Sequence, residues 1–534
     1  MSWRCPSPSN PPASGSRGSR AADSGIERSA AGFSLVFPAA KLLIHLLTAR
    51  GYGYFRDELY YLACADHLAF GYVDQPPLSI FLLWIVRSIL GDSVFALRLL
   101  PAVAGAVTVW LVGIITRELG GRGFAQALAM LAATAAPIYL ALDHFYSMNA
   151  LDLVFWPLAA LTLIRVLREP SPNRWLLLGL VLGLGLENKI SILWLGFGIL
   201  VGLLLTRQRR LLATPGPWLA GGVAFLIFLP HLVWQVLHDW PTLEFMARAT
   251  GEKMAAKSAL PFLAEQIRVV NPTTLPIWLA GLGSLLIARS MERFRPLAWI
   301  WITVLLLLIL SGSSRASYLA AAYTWLFAAG AVFWEALCER LRVPFGQLLR
   351  PALVAPVVVS GVVLAPMALP VLPVEDYIAY SQALGFTPST DERKELAELP
   401  QFYADMHGWE SIVDSLASVY EGLSPDEQAV AGFFTGNYGE AGAIDLLGGR
   451  RGLPVAVSGH NNYWLWGPRG HTGEVMIGIG GSREYLEEVF EEVELAARTD
   501  CGYCMPYENN QPIWLCRRLR AQIDELWPGF KHFD

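Results

Sequence analysis

Arg56-Asp57-Glu58-Leu59-Tyr60-Tyr61, followed by Gly71-Tyr72-Val73-Asp74-Gln75-Pro76-Pro77-Leu78, sets an acidic pair at the outer end of the first long apolar run of the chain. Carboxylates at a membrane boundary are costly to desolvate and persist where they meet water, a cation or a polar substrate. The stretch therefore marks the rim of a membrane helix and a candidate site together. The surrounding composition sets the class. Of 534 residues, 54% are apolar and 16% charged, with a mean hydropathy of +0.41, whereas a soluble domain carries about 25% charged residues. This is the composition of a polytopic α-helical membrane protein. The net charge of -5 and the short, scattered basic clusters exclude a nucleic-acid footprint.

Orientation follows from arginine, because basic residues in short loops favour the cytoplasmic side. The clusters are Arg117 with Arg122, Arg165 with Arg168 and Arg174, Arg207 with Arg209 and Arg210, Arg289 with Arg293 and Arg295, and Arg340 with Arg342 and Arg350. Spans that alternate with them, each near the roughly 20 apolar residues a bilayer needs, are 34–49, 94–116, 124–142, 150–167, 175–187, 190–206, 217–237, 273–288, 297–313, 317–338 and 351–373. About eleven transmembrane helices result, with the N-terminus cytoplasmic and the C-terminus outside. Glu187-Asn188-Lys189 divides 175–206 into two short helices, with one tilted helix as the alternative. Pro77 to Leu90 is short for a span and suits a helix lying in the outer interface.

Residues 1–31, rich in Ser, Gly, Pro and Ala with four arginines, read as a disordered basic cytoplasmic tail without a signal-peptide pattern. The membrane domain is 32–373, with 50–93 as its first outer loop. From 374 to 534 the acidic runs mark an extracytoplasmic soluble α/β domain. Helical signals dominate Thr390 to Glu421, Ser424-Pro425-Asp426-Glu427 reads as a helix start, and Val430–Thr435, Pro454–Ser458 and Gly473–Gly478 read as strands. Cys501, Cys504 and Cys516 point to a structural disulfide in an oxidising compartment. A zinc site would need more ligands than these thiols, with His460 or His471 as the only further donors at hand.

Asp57-Glu58-x-Tyr60, Gly71-Tyr72-x-x-Gln75-Pro76-Pro77-Leu78 and Arg98-Leu99-Leu100-Pro101 resemble bacterial members of glycosyltransferase family 39, GT-C enzymes related to protein O-mannosyltransferases and the lipid A aminoarabinose transferase. Asn149-Ala150-Leu151-Asp152, Gly183 to Lys189, Trp234-Gln235 with His238-Asp239-Trp240-Pro241, and Gly312 to Tyr323 extend the resemblance over about residues 34–340. Thr435 to Glu440 and Ser458 to Trp464 are similar to the outer domain of a subset of these proteins.

The resemblance implies inverting transfer of a sugar from a polyprenyl-phosphate carrier to a protein, lipid or glycan acceptor on the outer face of the inner membrane. Such a transfer needs a base on the acceptor hydroxyl and donors or positive charge on the leaving phosphate. Asp57 matches the family's catalytic position, and Glu58 would orient the site or hold a cation. Both also fit as carboxylates solvating a helix mouth. Asp152 and Asp143 flank the second outer loop as a second acidic position, with a helix N-terminal carboxylate as the other reading. Lys189, and Arg315 with it, would bind the donor phosphate as this chain has Gln75 where the family often has a basic residue or His; snorkelling is the alternative for Lys189. Tyr60, Gln75, His238 and Tyr318 are candidate substrate contacts, and His144 reads as an interfacial polar residue. Trp464 and Trp466 beside Asn461 and Asn462 fit a sugar platform or a packed loop.

A divalent cation is compatible with these carboxylates, although no strict ligand spacing is present. No Gly-rich phosphate loop follows a strand, which argues against a nucleotide-sugar donor. Two other classes fit the composition: a transporter or flippase of lipid-linked sugars, and a non-catalytic envelope scaffold. No convincing internal repeat supports the transporter.

Overall fold

The structure, a computed structural model, describes residues 35–534. The basic tail expected at 1–31 lies outside the described residues. Among the described residues six helices are long and apolar enough to cross a membrane: Val94–Glu118, Met148–Arg168, Pro215–Leu237, Arg289–Ser311, Ala316–Arg340 and Phe345–Met367. Two bent pairs, Ile192–Leu204 with Arg207–Ala213 at 110° and Ala259–Val269 with Pro272–Ile287 at 92°, bring the number to eight if each is one span. Leu35–Thr48, Leu78–Leu90 and Gly123–Thr134 are shorter apolar helices. The protein is a multi-pass helical membrane protein.

Small residues set its closest helix contacts. A Cβ on Gly281 would lie 2.0 Å from the Leu326 carbonyl oxygen, and one on Gly330 would lie 1.8 Å from that of Ile277. The Leu275–Ile287 and Tyr323–Arg340 helices therefore meet backbone to backbone, the packing that small residues permit in lipid. The apolar stretch from 172 to 204 is two helices, Pro172–Asn188 and Ile192–Leu204, interrupted at Lys189. Leu78–Leu90 buries only Ser79, Ile80 and Leu83.

Beyond Phe345–Met367 the chain builds a five-stranded sheet in the order β2-β1-β3-β5-β4, with β1 Ala431–Thr435, β2 Ala456–Ser458, β3 Val475–Ile479, β4 Phe490–Arg498 and β5 Pro512–Leu519. β1 runs parallel to β2 and β3, pairing Phe433 with Ala456 and Ile477, while β5 is antiparallel to β3 and β4. β4 and β5 were not expected. Glu491, Glu492 and Glu494 on an edge strand mask its β pattern, and charge on an edge is how sheets avoid pairing with other chains. The helix expected across 390–421 is confined to Gln401–Ala404 and Trp409–Glu421, because Gly385, Pro388 and Pro400 punctuate the preceding stretch. The capping box at Ser424 and Glu427 is present. Cys501 and Cys504 are disulfide-bonded, and Cys516 is a buried free thiol in β5.

This region shares one apolar core with the first loop. Leu59, Tyr60, Tyr61 and Tyr72 pack with Trp409, Ile412, Ile444 and Tyr463. At Gly442 a Cβ would lie 2.8 Å from the Leu59 carbonyl carbon, so the Tyr438–Ala443 helix lies directly on Arg56–Asp66. Residues after 430 thereby become neighbours of Asp57.

Candidate active site

Asp57 and Glu58 occupy the first turn of the Arg56–Asp66 helix, where the dipole favours negative charge, and their environments are opposite. Asp57 remains one-third exposed. Its Oδ1 accepts from the Tyr438 hydroxyl at 3.0 Å, while Oδ2 has no hydrogen-bond partner among the described residues. Arg56 Nε stands 3.9 Å away, and its guanidinium also covers the Tyr438 ring. Asp57 is thus held from one side and open on the other.

Glu58 is fully buried and accepts from Phe55 N at 2.9 Å, Tyr146 N at 2.8 Å, Arg98 Nε at 3.2 Å and Arg98 Nη2 at 3.1 Å. Arg98 also donates to the carbonyls of Ala49, Gly51 and Gly53. Of the two roles considered for Glu58, orienting the site or holding a cation, this geometry suits the first: protein donors occupy both oxygens, and they fix the turn that presents Asp57. Asp143 is likewise turned away, in a buried 2.9 Å ion pair with Lys41 of the first helix. His144 Nε2 lies 3.2 Å from Arg98 inside this network.

Asp152, Lys189 and Tyr318 do come together. Asp152 accepts from Ser191 Oγ at 3.0 and 2.9 Å and lies 3.6 Å from Lys189 Nζ. Lys189 donates to Asn149 Oδ1 at 2.7 Å and stands 5.1 Å over the Tyr318 ring. The break after Asn188 turns Lys189 out of the helix and toward this group. Two hydrogen bonds tie the group to the Asp57 helix: Met148 N donates to the Tyr61 hydroxyl at 3.2 Å, and Asn188 Nδ2 to the Met148 carbonyl at 2.9 Å. Asp57 and Lys189 therefore lie at the same end of the bundle. Arg315 donates to Glu392 at 2.6 Å, with Tyr318 and Asp57 both within its electrostatic reach.

The remaining candidates divide. The Tyr60 hydroxyl lies 3.0 Å from both Asp74 Oδ1 and Asn462 Oδ1, and Asn462 also accepts from Val73 N at 2.7 Å, which makes these residues a knot between the first loop and the sheet region. Gln75 is buried with neither amide atom hydrogen-bonded. His238 is exposed at the end of Pro215–Leu237, stacked on Trp234 at 4.2 Å, and no contact joins it to the Asp57 group among the described residues. Trp464 and Trp527 exchange indole-to-carbonyl hydrogen bonds, and Trp466 packs on Tyr463 and His67. These tryptophans are a packed loop.

Sequence reasoning left several residues of the site without a role. Tyr438 lay in a quoted motif that assigned it nothing. Burial, aided by the nearby Asp57 charge, pushes the Asp74 carboxyl up to about 6 against the Tyr60 hydrogen bond. Burial would also raise Glu392, but Lys253, Arg56 and Arg315 hold it at about 2. Lys253 reaches this cluster because its loop pairs with the strand-like stretch at Glu392, where Arg393 N donates to the Lys253 carbonyl at 2.8 Å. Three cations thus gather around Glu392 beside Asp57.

Among the described residues one set has metal-ligand composition: His460, His532 and Asp534, with donor atoms within 4.8 Å of one another. Their hydrogen bonds oppose ligation. Both His532 nitrogens face carbonyls, Phe530 O at 3.0 Å and Gly436 O at 3.1 Å, and His460 Nδ1 accepts from Tyr438 N. A neutral imidazole bound through Nε2 must carry its proton on Nδ1, so this set latches the chain end and does not suit an ion.

Residues 74–234 match the family model described as dolichyl-phosphate-mannose-protein mannosyltransferase. The chain is 26% identical over 275 residues to the lipid A galacturonosyltransferase RgtD of Rhizobium johnstonii, covering 50% of this chain and 56% of that protein. It is 30% identical over 205 residues to the lipopolysaccharide core galacturonosyltransferase RgtA of the same organism, covering 38% and 40%. Among solved structures, ArnT from Cupriavidus metallidurans bound to undecaprenyl phosphate superposes with a TM-score of 0.59 over 91% of this chain and 98% of that one, at 14% identity. Over residues 74–234 the chain resembles that mannosyltransferase family, and its fold is similar to that of ArnT. The likeness in fold to ArnT covers 91% of this chain, whereas the chain spans about half the length of the curated relatives it matches.

Proposed function

We propose that this protein transfers a sugar from a polyprenyl-phosphate carrier to an acceptor hydroxyl on the outer face of the membrane, with inversion and with Asp57 as the base. The observation that carries the reading is the contrast within one helical turn: Asp57 is open at Oδ2, while Glu58 beside it is saturated by four donors. A base must reach the proton it takes, and Asp57 alone of the pair has a free face. Lys189, over the Tyr318 ring, and Arg315, close enough to feel that residue, supply the positive charge for the leaving phosphate. Residues 374–534 form the outer domain that closes over this site, and the N-terminus lies in the cytoplasm.

The donor sugar we assign is a uronic acid. Arg56, Lys253 and Arg315 meet Glu392, Asp405 and Asp57 here, so the support for this sugar is that the relatives RgtD and RgtA are galacturonosyltransferases by name. The test is turnover of a panel of polyprenyl-phosphate sugars, uronic, neutral and amino, by reconstituted protein, with water accepted in place of the unknown acceptor. Turnover of the uronic donor supports the reading. Turnover of a neutral donor only removes the sugar assignment and leaves the enzyme. Binding without turnover, with lipid flipping in vesicles, would favour a transporter, and neither would leave a scaffold.

A further inference from the structure

At the end of the bundle away from Asp57 the structure holds an open cleft of ≈ 780 Å³, within the size range of ligand sites. Met148, joined to the Asp57 helix through Tyr61, begins the helix that ends at Arg168, about 30 Å away at 1.5 Å per residue. Arg168 meets there the two segments Arg207–Ala213 and Arg289–Phe294. Arg168 is paired with Glu118 at 2.9 Å and Arg207 with Glu292 at 3.0 Å. Arg210, Arg289 and Arg293 line the same cleft and have no ion-pair partner among the described residues.

A positive-inside bias puts arginines in loops. It does not require five arginines of separate loops to meet at one cleft whose two carboxylates, Glu169 and Glu292, are already ion-paired with Arg174 and Arg207. A second observation says what they face. Leu204, Leu205 and Ile287, which precede Arg207 and Arg289, are 49%, 58% and 79% exposed and belong to the apolar ends of the adjoining helices. Trp218, 72% exposed just beyond Ala213, marks a headgroup level. Guanidinium groups without ion-pair partners, a few residues along the chain from exposed aliphatic side chains, match an amphiphile with an anionic head.

We propose that this cleft binds the phosphate headgroup of an anionic membrane phospholipid, with its acyl chains along Leu204, Leu205 and Ile287. Planar guanidinium donors suit phosphate oxygens bidentately, and basic pockets between membrane helices recognise such headgroups. Lipid binding here does not depend on the reaction proposed at Asp57.

The test uses full-length protein in nanodiscs of phosphatidylglycerol or of phosphatidylcholine, with lipid adducts counted by native mass spectrometry and the unfolding midpoint recorded. The wild type should retain phosphatidylglycerol in preference to phosphatidylcholine and melt higher in it. Each arginine should contribute about fivefold to that preference, so Arg210→Gln/Arg289→Gln/Arg293→Gln should abolish it while the melting point in phosphatidylcholine stays that of wild type. Arg293→Gln alone should lower the preference about fivefold, which tests the site if the triple variant does not fold. No preference in the wild type, or one unchanged in Arg293→Gln, would overturn the proposal. Inorganic pyrophosphate titrated into delipidated protein separates the sources: stabilisation by it equal to that by phosphatidylglycerol would assign the cleft to a soluble phosphate instead.

Discussion

The Tyr438 hydroxyl donates to Asp57 Oδ1 at 3.0 Å, although the two residues are 381 positions apart. The Tyr438 ring is itself clamped between Tyr60, with centroids 4.6 Å apart, and His460, at 4.5 Å. Removing only the hydroxyl therefore separates positioning from packing. Tyr438→Phe should leave the melting temperature unchanged and lower the transfer rate about tenfold, as loss of one charge-assisted hydrogen bond implies. Parallel rate and thermal measurements check it, and a loss of stability matching the loss of rate would reduce Tyr438 to a packing residue.

Glu58 is the counter-charge of a buried arginine. Glu58→Ala leaves the Arg98 guanidinium desolvated and unpaired, a change that costs about 3–5 kcal/mol. The variant should be poorly recovered as folded protein, and what is recovered should melt well below wild type in detergent. Wild-type stability with lost activity would instead place Glu58 in the chemistry.

Lys189 holds Asn149 and Asp152 while facing the Tyr318 ring. If it binds the carrier phosphate, Lys189→Met should raise KM for the lipid-linked donor about tenfold or more and also lower kcat, because charge on the leaving group grows in the transition state. A donor titration resolves the two effects. An unchanged KM would leave Lys189 as the partner of Asp152 alone.

Glu440 provides a pH test. Burial pushes its carboxyl up to about 7, against hydrogen bonds from the Asn437 and Gly436 region. The folded form thus keeps a proton that the unfolded chain releases near pH 4.5. The group costs nothing below that pH, and its penalty grows as pH rises toward 7, reaching about 3 kcal/mol. Glu440→Gln should therefore gain stability relative to wild type between pH 5 and pH 7.5. Thermal melts across that range, read as the difference between the two proteins, check the sign.

The membrane part of the fold was legible because its code is local: apolar runs, the break at Lys189 and the acidic pair after the first helix each follow from adjacent residues. Asp152, Lys189 and Tyr318 were named for separate roles, and their meeting is set by the fold. Tyr438, Lys253 and Glu392 were not legible, since their approach to Asp57 depends on Gly442 letting a distant helix settle on Leu59 and on backbone pairing between residues 253–255 and 391–393. The partners of Glu58 and Asp143 were hidden for a related reason. A carboxylate in a loop reads as available, and only the fold reveals that Arg98 and Lys41 are aimed at these two.

The most direct measurement is sugar release or transfer from a turned-over polyprenyl-phosphate donor by wild type and Asp57→Asn at equal folded yield. Asparagine keeps the Tyr438 contact and the exposure of the site while removing the base. The account predicts a fall of about a hundredfold or more with donor binding retained. Transfer by Asp57→Asn at the wild-type rate would contradict it.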